Sequence, residues 1–391
     1  AIPYTTIFIG MAPLNNSFYV SPSIERYHHL FNHEWTHVVM TDKATKSDNG
    51  WRKFFGTKVA VDNRYPLTEL WSYMSAPRWY APRWYHEGIS CFLETWLGGG
   101  IGRALGGYDE MKFRSDVLSD ARLHSVVGLE TEGSTQDFQV GAVAYLYGTR
   151  FVNYLALTYG FQKVTEFYNR TSGSHRRITS QFKHTFGKSL QQVWREWQQY
   201  EKEHQKENLD AIAQYPLTQT QSLSDKPFGS MSNFCYDRGR GKLYTAVNHR
   251  GTMAKVIEID LNTKKQRKLM NVDGPMLYQT TYIALDTTNQ RLFATTQNSD
   301  MRGLVEYNLK TGRKHVLKPF TRMSNLVYDH NRNRLYGIIS SSGVNHLGYY
   351  DCSKGEITKK DNHNILYSFR FGQTVSDLAV SHDGTKLSLT V

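Results

Sequence analysis

His33-Glu34-Trp35-Thr36-His37 sets two imidazoles four residues apart with a carboxylate beside the first. A helix turns about 100° per residue, so His33 and His37 fall about 40° apart and can share one metal ion, with Glu34 at the rim of that face. Neutral imidazole nitrogens suit Zn²⁺. A carboxylate beside the metal is placed to take a proton from an attacking water and pass it to a leaving nitrogen. A tetrahedral hydrolytic site also needs a third protein ligand and one open position. The stretch from Trp84 to Glu94 supplies a candidate, because Glu87 and Glu94 lie seven residues apart and therefore on one helical face. Glu87 would bind the metal, and Glu94, two turns further on, would support a ligand or add a second carboxylate to the cleft. His86 is the competing ligand, about 100° around the helix from Glu87.

Two helices must carry these groups. The first is expected to start at Ser21-Pro22, an N-cap followed by proline at the first helical position. Ile24, Tyr27, Phe31, Trp35 and Val38 recur at helical spacing on the side opposite the histidines, so the apolar side is expected in the core and the histidine side in a cleft. The second helix has Trp84, Cys91 and Phe92 at helical spacing. Between the two, residues 42 to 82 must loop out and return. They include a local duplication, Ala76-Pro77-Arg78-Trp79-Tyr80 and Ala81-Pro82-Arg83-Trp84-Tyr85, whose first copy reads as part of the loop delivering the second helix.

HEWTH followed by a Trp-x-x-Glu-Gly helix resembles the gluzincin metallopeptidases, the clan of thermolysin and aminopeptidase N. The resemblance implies that the glutamate of the second helix, here Glu87, is the third zinc ligand. Tyr145-Leu146-Tyr147-Gly148 looks like a segment of the aminopeptidase N relatives whose tyrosine stabilises the oxyanion. That role falls on Tyr145, with Tyr147 as the alternative. There are 49 residues between His37 and Glu87, more than in aminopeptidase N, and the segment that anchors a free amino terminus there is missing. Aminopeptidase specificity is therefore not carried over. The whole chain is more similar to bacterial peptidases that join a gluzincin domain to a TolB-like β-propeller, through the Pro-Arg-Trp-x-x-Glu-Gly helix, Tyr-Leu-Tyr-Gly, and Phe186-Gly187-Lys188-Ser189-Leu190 leading to Trp194-Arg195-Glu196-Trp197. This implies export to the periplasm, cell envelope or medium.

The expected organisation is multidomain. Residues 1–205 form an α+β, mostly helical zincin-type domain opening with strands near Ile7 and Phe18-Tyr19-Val20, residues 206–228 a linker, and residues 229–391 an all-β propeller. Gly187 ends one helix, and Ser189 with Gln192 forms a capping box for the next, which is expected to close the first domain. Gly98-Gly99-Gly100 follows a helix and lacks a Lys-Ser/Thr ending, which excludes a phosphate loop and leaves a loop at the cleft edge. From residue 229 the apolar period becomes alternating and a hairpin repeats: Tyr236-Asp237 to Lys242-Leu243, Leu285-Asp286 to Arg291-Leu292, and Tyr328-Asp329 to Arg334-Leu335, the leucines 49 and 43 residues apart. A fourth copy begins at Leu378. Four strands per repeat is the pattern of propeller blades, and a ring closed by chain beyond these residues is expected.

With 391 residues, 39% hydrophobic and 13% aromatic, the chain has ample material for packed cores. It contains no run of 18 apolar residues, so no transmembrane segment is expected. Three cysteines, Cys91, Cys235 and Cys352, exclude a disulfide framework and allow at most one bridge. The net charge of +12 is scattered, without a recognition helix, so no nucleic-acid partner is expected. These readings converge on a zinc-dependent metallopeptidase acting on a peptide or protein, with a further protein or cell-envelope partner at the propeller. The alternative is a non-catalytic propeller-based adaptor on a vestigial peptidase scaffold.

Overall fold

The computed structural model describes residues 6–7, 26–100, 102–129, 143–226, 228–249, 252–272, 281–298, 301–353, 355, 357–371, 373 and 375–391. The expected helix start at Ser21-Pro22 and the strand at Phe18-Tyr19-Val20 lie outside them. Ile7 is described and belongs to no strand. Two compact units emerge, one of helices through Gln219 and one of strands from Thr220 onward.

The helical unit contains α1 (Arg26–Asp42), α2 (Lys46–Phe55), α3 (Leu67–Ser75), α4 (Arg83–Leu97), α5 (Gly107–Leu118), α6 (Val143–Tyr159), α7 (Phe161–Tyr168), α8 (Ile178–Phe186) and α9 (Leu190–Ala213). Its core is dominated by rings, with Trp84, Phe151, Trp194 and Trp197 packed edge to face or tilted, their centroids 4.6 to 5.6 Å apart. Helices α4 and α6 cross at two glycines, Gly88 and Gly148. A Cβ on Gly88 would sit 2.5 Å from the Gly148 carbonyl carbon, and one on Gly148 would collide with the Trp84 carbonyl oxygen. The glycines of the Glu-Gly and Tyr-Leu-Tyr-Gly motifs are thus the contact that lets two backbones touch.

The stretch between α1 and α4 is helical in large part. Thr45 and Asp48 form a capping box that starts α2. Arg52 then ties the two ends of the stretch together, donating to the carbonyls of Thr41 and Asp42 at one end and Ser75 at the other. Asp48 is fully buried and receives Arg170 at 2.5 and 2.9 Å and Arg176 at 3.1 Å, which fastens α2 to the segment between α7 and α8. The first copy of the duplicated motif is a 3₁₀ turn over Pro77–Tyr80. Its Arg78 is buried and donates to the carbonyls of His175 and Arg176.

Three expectations are corrected. Along its described length the apolar side of α1 reaches the core only at Val38, which is buried: Phe31 and Trp35 stack on each other at 5.7 Å and are 44% and 50% exposed, whereas His33 is 5% exposed. The histidine face is the packed face because every nitrogen it buries has a polar partner on α4. Residues 206–213 are not linker but the end of α9. The polar run continues the helix because Glu201 and Gln205 are buried, and Arg150 joins Glu201 to Glu110 of α5 at 2.6 Å each. The capping box of α9 is half made. Ser189 Oγ accepts from the Gln192 amide, but the Gln192 side chain turns to Glu196.

The β unit is a succession of antiparallel sheets. β1 (Ser230–Met231), β2 (Cys235–Asp237), β3 (Lys242–Asn248), β4 (Lys255–Asp260) and β5 (Gln266–Asn271) form the first, with β1 and β2 both pairing β3. β6 (Ile283–Asp286), β7 (Arg291–Asn298), β8 (Met301–Asn308) and β9 (Arg313–Lys318) form the second. β10 (Met323–Asp329), β11 (Arg334–Ser341), β12 (Val344–Asp351) and β13 (Asn364–Ser368) form the third, and β14 (Ser376–Val380) pairs β15 (Leu387–Thr390). Sequential four-stranded antiparallel sheets are the units from which β-propellers are built. The repeated hairpins share one register: Tyr236 faces Leu243, Leu285 faces Leu292 and Tyr328 faces Leu335. Their aspartates make the turns, with Asp237, Asp286 and Asp329 accepting from the backbone amides of Arg240, Asn289 and Arg332.

Candidate metal centre

Helix α1 presents His33 and His37 to α4, which presents Glu87, Ser90 and Glu94 along one face. His33 Nε2 lies 3.2 Å from His37 Nε2 and 3.2 Å from Glu87 Oε2, and His37 Nε2 lies 3.3 Å from Glu87 Oε2. Three donor atoms therefore form a nearly equilateral triangle. Zinc bonds of about 2.0–2.2 Å in tetrahedral directions separate neighbouring ligand atoms by about 3.3 Å, so two imidazole nitrogens and one carboxylate oxygen at this spacing fit such an ion without rearrangement.

The remaining nitrogens are also held. His33 Nδ1 donates to Glu94 Oε2 at 2.8 Å, and Ser90 Oγ lies 3.2 Å from His37 Nδ1. Both contacts turn the Nε2 atoms toward Glu87 and fix the rings, as partners of metal-binding histidines do. Burial works against a charge on His33, but hydrogen bonds with Cys91, Glu87 and Glu94 outweigh it and hold its pKa well above the ordinary value. Burial would raise the pKa of Glu87, yet hydrogen bonds from His33 and His37 keep it far below the usual carboxylate range. Against the same opposition, Arg103 and His33 bring Glu94 down to about 2. Both glutamates are carboxylates at neutral pH.

Arg103 was not legible as part of the site. Nε and Nη2 reach the two Glu94 oxygens at 2.5 and 2.6 Å, and Nη2 also lies 2.9 Å from His33 Nδ1. The glycines after α4 explain how it arrives. Gly99 and Gly100 have φ of 74° and 87°, which turns the chain sharply back over α4 and into a 3₁₀ turn at Arg103–Leu105. The expected loop at the cleft edge is thus a return that delivers a cation. Ser90, also missed, could have been found by the spacing that found Glu94, since it lies three residues after Glu87 on the same face. His33, Cys91 and Glu94 form a second close group of ligand-type atoms, but there the Arg103 guanidinium already supplies the positive charge. Cys91, Cys235 and Cys352 are free thiols.

Tyr145, on α6, stacks on His33 with centroids 6.2 Å apart, and the Arg103 guanidinium lies 5.2 Å from its ring centre. Tyr147 faces the other way. It is buried in the core, and its hydroxyl accepts from the His124 amide at 3.2 Å, which removes it as the alternative to Tyr145. His86 does not join the ligand triangle. Its burial and the neighbouring His37 push its pKa down to about 4, and its ring is engaged by the backbone of Arg78 and Trp79. Glu34 is half-buried and makes no hydrogen bond or ion pair among the described residues.

No known family model and no curated protein matches this chain. Solved structures similar to it include TolB from Acinetobacter baumannii, at 13% identity over 38% of this chain and 34% of that one, with a TM-score of 0.30. A nidogen/laminin complex matches at 15% identity over 41% and 56%, with a TM-score of 0.32. A prolyl endopeptidase matches at 12% identity over 41% and 26%, with a TM-score of 0.30. The chain therefore spans between about a quarter and a little over half of these proteins' lengths. No helix among the described residues is long and apolar enough to cross a membrane.

Proposed function

We propose that the helical unit is a zinc-dependent peptidase of the gluzincin type, with His33, His37 and Glu87 as the metal ligands. The observation that carries this reading is the 3.2–3.3 Å triangle of Nε2, Nε2 and Oε2 atoms, each on a side chain oriented by a further residue. Bound there, zinc would supply Lewis acidity and make a water molecule acidic near neutral pH. Glu34, next to His33 and without a competing partner among the described residues, takes a proton from the attacking water and hands it to the leaving nitrogen. Tyr145 stacks on His33, and its hydroxyl would share the negative charge developing on the carbonyl oxygen. Glu94 and Arg103 hold His33 in the tautomer whose Nε2 is free to bind metal.

The test is the zinc content of the purified protein, followed by digestion of a peptide library. One equivalent of zinc in the wild type, its loss in Glu87→Gln, and cleavage by the loaded wild type are expected. A loaded protein that cleaves no peptide would abandon the hydrolase and leave a partner-binding role for the β unit. Export, and a protein or cell-envelope partner at the β sheets, are part of the same proposal.

A further inference from the structure

Beside the third sheet of the β unit lies an open pocket of about 760 Å³ that none of the residues above uses, with Phe320, Arg322, His363 and Ile365 exposed at its rim. Phe320, Ile339 and Ile365 give it an apolar lining, and Arg322, His346 and His363 contribute nitrogen donors. Among the described residues no carboxylate lines it. Arg322 is exposed and has no ion pair or side-chain hydrogen bond among the described residues. His346 spends Nδ1 on Ser368 at 2.8 Å, which leaves Nε2.

The turn that carries Arg322 is strained and clamped. Its φ is 51°, a conformation that a side chain of this type rarely adopts. The Thr321 amide donates to the Arg302 carbonyl at 2.7 Å, and the Arg322 carbonyl accepts from the Ser340 amide at 3.2 Å. Strain held in place by surrounding bonds is a reason to look for function at that residue. Nearby, Lys318 donates to the carbonyls of Lys359 and Asp361, which holds a second cation close to the pocket, next to the Asp361 carboxylate. Burial, His346 and Lys318 all lower the pKa of His363, so a neutral imidazole faces the space and the fixed charge is that of Arg322.

We propose that this pocket binds a carboxylate carried on an apolar group, with Arg322 pairing the anion, His346 and His363 donating to it, and the apolar part lying against Phe320, Ile339 and Ile365. A guanidinium pairs a carboxylate in two-pronged geometry, and an apolar lining around one cation selects for a ligand with a single charged end. A free peptide C-terminus with a bulky last residue has this chemistry, and so does a short fatty acid.

The test is binding to the full chain, followed by calorimetry and by histidine NMR signals, of N-acetylphenylalanine, its amide and hexanoate. The acid is expected to bind and to shift two histidine signals, with the amide weaker by about tenfold or more. Arg322→Gln should weaken the acid to a similar degree, and Ser341→Glu, which sets a carboxylate on the lining, should abolish it. Glu87→Gln should bind as the wild type does, which separates this cavity from the proposed zinc site. Preference for N-acetylphenylalanine over hexanoate assigns the peptide source, and the reverse assigns the fatty acid. Equal binding of acid and amide, or an affinity untouched in both Arg322→Gln and Ser341→Glu with their circular dichroism unchanged, would overturn the proposal.

Discussion

Arg103 grips Glu94 through two nitrogens, and Glu94 in turn accepts from His33 Nδ1, so a residue nine positions beyond the end of a motif decides which nitrogen of a histidine faces the cleft. The bond is charge-assisted and almost out of contact with water, where such pairs are strong. Without Arg103, Glu94 would be a buried carboxylate with one partner fewer.

Arg103→Gln should therefore weaken zinc binding by about 10- to 100-fold, read by competition with a chelator of known affinity. Arg103→Lys should recover only part of the loss, because an ammonium cannot span both oxygens. An unchanged zinc affinity in Arg103→Gln would reduce the residue to packing.

Glu34→Gln removes the base and keeps the shape. Peptide hydrolysis is expected to fall by about 10² to 10⁴ with zinc still bound at one equivalent, since the residue lies outside the ligand triangle. Full activity in this variant would remove Glu34 from the chemistry.

Tyr145→Phe keeps the ring against His33 and deletes the hydroxyl. A drop in kcat of about 10²-fold with KM little changed is expected if the hydroxyl meets charge only in the transition state. Equal losses in zinc content would instead assign the ring a structural role.

Gly148→Ala places a methyl group against the Trp84 carbonyl where α4 and α6 cross. Forcing the two backbones apart should cost about 1–3 kcal/mol in urea unfolding and also shift Glu87, so stability and zinc affinity fall together. Stability and affinity both at wild-type values would mean that the helices do not cross so closely.

Asp48 gives a pH dependence with a defined sign. Burial opposes its charge, but Arg170 and the Thr45 amide overcome that and lower its pKa below the unfolded value. A group depressed on folding contributes stability above its unfolded pKa, near 3.9, and loses it as pH falls through the folded value. The helical unit should accordingly lose stability below about pH 4. Asp48→Asn should flatten that acid limb while lowering stability at pH 7 by about 3–5 kcal/mol, because Arg170 is left buried without its partner. An acid limb as steep in the variant as in the wild type would assign it to other carboxylates.

The four-residue spacing of His33 and His37 was enough to place both imidazoles on one face, because helix geometry is local and admits little else. The seven-residue spacing of Glu87 and Glu94 worked for the same reason. The repeated aspartates and leucines of the hairpins likewise carried their register within a few residues of chain, and the sheets follow it. Which way a helix turns is not local. Phe31 and Trp35 are the more apolar side of α1, yet α1 is rotated so that His33 is buried, because α4 offers partners for its nitrogens that no periodicity in α1 reveals. The polar end of α9 stays helical for a similar reason, since Glu201 meets Arg150 from a helix 51 residues earlier. The places of Arg103 and Ser90, and the turning of Tyr147 into the core, were decided in the same way. Spacing along one element is written in the chain, whereas charge satisfaction between elements exists only once they have packed.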